Sequence, residues 1–352
     1  MNRKNLLGFF LCLVALFLLT CLVDTPASWA EKKTVSFAAG RPGDPWYALS
    51  HALSTFINER SQIIKADVVA TGGVKDATSL LIHKPELRSN HVIVSMIPGF
   101  KAWTEGNFKL YKIGTITHFV SLFISLDKDV KTYSNFKGKT VTMPRKLKAG
   151  PTDILRNMFS EVGVWGQFKP MYGGFGSGLS ALRDGVAQVG FQGINFIFPD
   201  RFGLSSRLEE LKTRGELYFV QQGDVEKNLG LLRRAIKADP FENMELPTLA
   251  KIVPANALGT TQTKPIVALA TPMLWAASSE MDEAVVQEIT RIMYEAAKKG
   301  EFGQYHALGR GITPDFLVTS LWDTAEECRK NYHPGALKFY DSVGAKMKPF
   351  SE

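Results

Sequence analysis

The chain has 352 residues, 45% of them apolar and 22% charged, with a formal net charge of +8. That composition supports an ordinary hydrophobic core, and it excludes both a disordered chain and a small disulfide-framed one. Two of its three cysteines, Cys12 and Cys21, fall in the N-terminal apolar stretch, so Cys328 has no partner for an internal disulfide. The basic excess is spread along the chain, densest at Arg145-Lys146-Leu147-Lys148, and no nucleic-acid-binding motif accompanies it, so it reads as a solubility feature.

In chain order, Arg3 and Lys4 precede an apolar run from Leu6 to Val23, followed by Pro26 and Ala27-Ser28-Trp29-Ala30. This predicts a signal peptide over 1–30, cleaved near Ala30, and an exported mature protein. An uncleaved anchor is the alternative, because the run approaches spanning length. A lipoprotein at Cys21 is disfavoured by the bulky Leu19 and Thr20. The only other long apolar stretch, Ile266 to Ala277, is too short to span a bilayer and is broken by Pro272.

Thr34 to Ala39 reads as a buried strand running into Gly40-Arg41-Pro42-Gly43-Asp44-Pro45, and Trp46, Leu49, Leu53, Phe56 and Ile57 then fall on one helical stripe. The same grammar returns with a strand over Ile64 to Thr71, the turn Gly72-Gly73, a helix through Ala77, Leu80 and Leu81, and a strand from His91 to Met96. A long β-rich segment, Ile113 to Leu126, precedes a second set: Phe136 to Met143, a helix opened by Ala149 to Asp153, the glycine-rich stretch Gly173 to Gly178 as a loop, a helix over Leu179 to Arg183, and a strand from Val186 to Phe191. After an extended segment near Pro265 to Ala277, Asp282 to Lys299 is a strong amphipathic helix, and Ala336 to Val343 closes the chain. Strand, glycine turn, helix and strand predict α/β halves with ligands held at the carboxyl ends of the strands. The predicted lobes are 31–120 with 278–352 and 121–277, crossing at His118 to Ser125 and Thr271 to Ser278.

Catalytic patterns are missing. The six histidines (His51, His83, His91, His118, His306 and His333) keep no metal-site spacing, and Ser177 between Gly176 and Gly178 lacks the outer residues of a nucleophile elbow. Gly176-Ser177-Gly178-Leu179-Ser180-Ala181 fits a loose dinucleotide fingerprint, but no long apolar strand precedes it and no strand-end acid follows at the right distance. What remains is a set of helix starts introduced by Gly, Thr or Pro, whose backbone N–H groups suit a carboxylate or phosphate; ordinary helix entry is the equal alternative at any single loop.

Gly40 to Tyr47, Thr71-Gly72-Gly73, Phe136 to Lys139 with Ala149 to Asp153, and above all the run from Tyr332-His333-Pro334-Gly335-Ala336 to Tyr340 resemble the TAXI-type solute-binding proteins of tripartite ATP-independent periplasmic (TRAP) transporters. The resemblance implies a type II periplasmic-binding fold, two Rossmann-like lobes joined by a two-strand hinge around a ligand cleft, with no enzymatic activity and no cofactor or metal. It also implies a periplasmic receptor, a monomer that passes a small organic anion, carboxylate or amino-acid-like, to a TRAP-type permease; a receptor read by a membrane sensor or surface partner is the alternative. The ligand-binding residues it implies, together with the loop reading, are Gly43, Trp46, Tyr47, Thr71, Gly72, Gly73, Lys148, Gly150, Pro151, Thr152 and Gly174. The chain departs from the family at Val74 to Ala77, at Asp44-Pro45, around Lys148, and at Gln188, where the family's strand commonly carries Asp.

Overall fold

A computed structural model describes residues 31–96, 109–144, 151–220, 224–237, 250–320 and 329–349. The predicted signal segment, Arg145 to Gly150 and Cys328 lie outside them. The first half begins β1 (Lys33–Ala39), α1 (Pro45–Arg60), β2 (Ile64–Ala70), α2 (Val74–His83) and β3 (His91–Met96). The long β4 (Leu110–Ser125) leads to β5 (Thr140–Met143), α3 (Pro151–Glu161), β6 (Lys169–Tyr172), α4 (Phe175–Arg183) and β7 (Val189–Ile197). Then come β8 (Arg201–Gly203), α5 (Ser206–Lys212), β9 (Tyr218–Phe219), α6 (Val225–Lys237), β10 (Ala250–Val253) and the second long strand, β11 (Ile266–Ser278). The chain ends in α7 (Glu283–Lys298), α8 (Pro314–Leu317), β12 (Thr319–Ser320), α9 (Pro334–Ser342) and β13 (Lys348–Pro349).

One mixed sheet runs through the molecule in the order β2-β1-β3-β11-β4-β7-β5-β6. Outward from the central β11/β4 pair, each side repeats one βαβαβ arrangement: β3, β1, β2 on one side and β7, β5, β6 on the other. β3 lies antiparallel to β11 and β7 antiparallel to β4, so the two long strands serve both halves. This is the α/β, type II periplasmic-binding architecture expected from the sequence.

Each half buries its own core. In the first, the α1 stripe Leu49, Leu53, Phe56 and Ile57 packs with Val92, Val94, Ile113, Trp275 and the α7 residues Ile289 and Met293. Asp282 starts α7 by accepting hydrogen bonds from the Ala284 and Val285 N–H groups, a cap that satisfies donors the helix cannot. In the second half, Phe123, Phe136, Phe159, Phe168 and Phe191 form an aromatic core against α3 and α6. Among the described residues no helix is long and apolar enough to cross a membrane.

The structure corrects one element. The sequence reading makes Gly173 to Gly178 a loop without a useful strand before it, whereas β6 precedes it and α4 starts already at Phe175. Helical propensity is poor there, but close packing selects the glycine: a Cβ on Gly178 would come within 3.0 Å of Thr142 Oγ1 and 3.1 Å of Gln192 Nε2.

Candidate functional site

A cavity of about 670 Å³ opens between the two halves, at the carboxyl ends of β1, β2 and β6, within the size range of small-molecule sites. Its first wall is the β1–α1 loop with Gly72. Here Gly43 has φ +91°, a backbone region that side chains disfavour. The Asp44 carboxylate accepts the Arg41 N–H at 2.9 Å instead of capping α1. Pro45, the first residue of α1, has no N–H to offer. Arg41 Nε donates to the Gly72 carbonyl at 3.2 Å, which ties the two loops of this wall together.

The second wall is built differently. α4 opens on Gly174 with no side-chain cap, and Gly174, Phe175, Gly176 and Ser177 line the cavity. The N–H groups of this first turn have no partner within the helix, and the helix dipole adds positive potential. Beneath them, Gln192 of β7 is 4% exposed, and its buried Nε2 has no hydrogen-bond partner among the described residues. A buried amide donor left unsatisfied is rare and costly. Arg207, at the start of α5, lines the same wall.

The floor comes from the shared strand β4. Phe119 stands between Trp46 of α1 (ring centroids 5.5 Å) and Phe175 of α4 (4.6 Å), both edge to face. Neighbouring His118 is fully buried; burial first, then the positive charges of Lys251 and Lys112, push its pKa well below the ordinary value and keep the ring neutral at pH 7.

Of the residues expected from the sequence, the structure brings Gly43, Trp46, Gly72 and Gly174 to this cavity. Tyr47 is half-buried and packs on the first core, outside the lining. Thr71 donates its hydroxyl to the Gly73 carbonyl at 3.2 Å, and Gly73 precedes α2 at φ +137°; neither lines the cavity. Pro151 and Thr152 form the first turn of α3, away from the lining, with the Thr152 hydroxyl on the Pro144 carbonyl at 3.4 Å. Lys148 and Gly150 lie outside the described residues. Gln192, Phe119, Phe175 and Arg207 were not among the expected residues. Gln192 carries a legible signal, a single amide within the otherwise apolar run Val189 to Ile194.

The chain is similar to the NMT1-like family over residues 235–344. No curated protein sequence matches it. Among solved structures, the periplasmic aliphatic sulphonate-binding protein SsuA of Escherichia coli is 12% identical with a TM-score of 0.44, covering 88% of this chain and 84% of that one. A putative periplasmic sulfonate-binding protein of Methylobacillus flagellatus is 13% identical with a TM-score of 0.46, over 90% of this chain and 89% of its own. The probable amino-acid ABC transporter extracellular-binding protein YtmK of Bacillus subtilis is 13% identical with a TM-score of 0.44, over 78% of this chain and 96% of its own.

Proposed function

We propose that the protein is an exported solute-binding receptor that closes its two halves around a small organic anion and passes it to a membrane transporter of the TRAP type. One observation carries the reading: a buried, partnerless amide donor, Gln192 Nε2, lies against an uncapped helix start in a cavity walled by both halves. An oxygen-rich anion satisfies both at once, accepting from the amide and from the first-turn N–H groups. Residues 31–120 with 278–352 form one lobe and 121–277 the other in this reading, and β4 and β11 are the hinge that bends on closure. The TRAP-type permease and the monomer rest on the resemblance carried by the Tyr332 to Tyr340 run, and in this reading a signal segment over 1–30 takes the protein across the cytoplasmic membrane.

Isothermal titration of the purified protein against carboxylates, amino acids and sulfonates tests the reading. Saturable binding of at least one anion is expected, weakened by Gln192→Leu. A folded protein silent across the whole panel overturns it. For the permease, an adjacent gene encoding a multi-spanning transporter is expected; an adjacent sensor kinase argues for signalling instead.

A further inference from the structure

The cavity offers more than an anion hole. Trp46, Phe119 and Phe175 form a continuous half-buried aromatic strip from one wall across the floor to the other. Two of the rings are seated on glycines. A Cβ on Gly40 would come within 2.8 Å of Trp46 Cδ1, and one on Gly193 within 2.5 Å of Phe119 Cζ. The backbone thus makes room for two of the rings, and all three line the cavity. Rings that are only packing have no need of a face in an open cleft; rings arranged this way match a flat apolar body.

Charge narrows the choice further. Among the described lining residues the cations are Arg41 and Arg207, and the one carboxylate is Asp44. Asp44 is turned onto its own loop, accepting the Arg41 N–H, and Arg41 in turn reaches Gly72. An ammonium group entering here meets no carboxylate aimed at it, whereas an anionic head meets Gln192, the α4 start and Arg207. His118 on the floor is held neutral and brings no charge to the apolar strip.

We infer that the solute is an aromatic monoanion, an aryl carboxylate or sulfonate without an ammonium group, its head on the α4 start beside Gln192 and its ring on the Trp46–Phe119–Phe175 strip. The inference rests on the anion-receptor reading above and specifies its ligand class.

The test is titration of the purified protein with benzoate, phenylacetate and benzenesulfonate beside succinate, glutamate, phenethylamine and benzyl alcohol, read by calorimetry and by Trp46 fluorescence. The aryl anions are expected to bind at least about tenfold more tightly than succinate or glutamate, with a fluorescence change that Trp46→Phe abolishes. Phe119→Leu and Phe175→Leu should each weaken aryl-anion binding about three- to tenfold and leave any succinate binding within about twofold. Succinate or glutamate binding as tightly as the aryl anions overturns the inference and leaves the receptor reading standing. Phenethylamine or benzyl alcohol binding as tightly as benzoate overturns the anionic head. Silence toward every anion by a folded protein overturns both readings.

Discussion

The two walls of the cleft come from the same βαβαβ arrangement, yet they are chemically unlike. On the first, α1 begins with a proline, and its preceding aspartate spends its carboxylate on the loop's own backbone. On the second, α4 begins on an uncapped glycine and has a buried amide beneath it. Repetition of a topology repeats the position of a helix start but not its ability to hold charge; the cap and the first residue decide that. In the proposed reading the second wall holds the anion, and the first, with its loops tied together through Arg41, faces it.

The largest expected effect breaks the second wall alone. Gln192→Leu should cost roughly 1.5–3 kcal/mol of anion binding, about ten- to a hundredfold in Kd by calorimetry. The thermal midpoint of the free protein should stay level or rise, because a buried unpaired donor is removed. Gly193→Ala attacks the floor between the walls: with Phe119 Cζ 2.5 Å from the new methyl, the ring must move, and overpacking of this kind costs about 1–3 kcal/mol in urea unfolding.

Acid and base separate the halves in another way. Burial holds His91, His306 and His333 below their ordinary 6.5, and all three belong to the first half, whereas residues 121–277 contain no histidine. The unfolded chain takes up these protons first, so the stability of the first half is whole above pH 6.5 and is lost as pH falls below it. In the second half, burial lowers Lys251 from 10.5 to about 7. Between those values the unfolded chain holds the extra proton, so that half gains stability as pH rises from about 7 toward 10.5. Hydrogen exchange at pH 5.5 should open α1 and α7 before α3 and α6, and Lys251→Met should raise the midpoint at pH 7 by more than it does at pH 10. Equal loss of protection in the two halves at pH 5.5 would contradict this assignment.

The smallest effect sharpens the contrast between the two arginines. Both are exposed, so alanine at either should change affinity by less than about fivefold. Arg207→Ala should matter more at low salt than Arg41→Ala, since Arg41 already serves the Gly72 carbonyl.

The alternation of strands and helices is legible in the sequence because buried strands and the α1 and α7 stripes carry clean periodicities. The start of α7 near Asp282 is legible for the same reason, and the structure adds the cap that Asp282 supplies. The start of α4 is hidden: Gly176 and Gly178 are poor helix residues, and Gly178 is selected by close contact with Thr142 and Gln192, neither of which is near in sequence. Loop chemistry pointed to Gly43, Gly72 and Gly174, all at the cleft. It could not point to Phe119, since a phenylalanine in an apolar strand looks the same whether it faces a core or a ligand. Nor could it separate Thr152, whose hydroxyl serves a backbone carbonyl, from a threonine aimed at solute.

The halves are joined by neighbouring strands, not by free loops. β11 pairs with β4 from Leu269 to Ser278, with register irregularities at Met273/Leu274 and Trp275/Ala276, just beyond Pro272, which has no amide hydrogen to give the ladder. In the proposed closure, a change in the angle of the cleft is absorbed as flexure of this ribbon at its irregular stretch. On that reading the joint acts as a spring between open and closed states, and the stiffness of a few residues around Pro272 would set how long a captured solute stays.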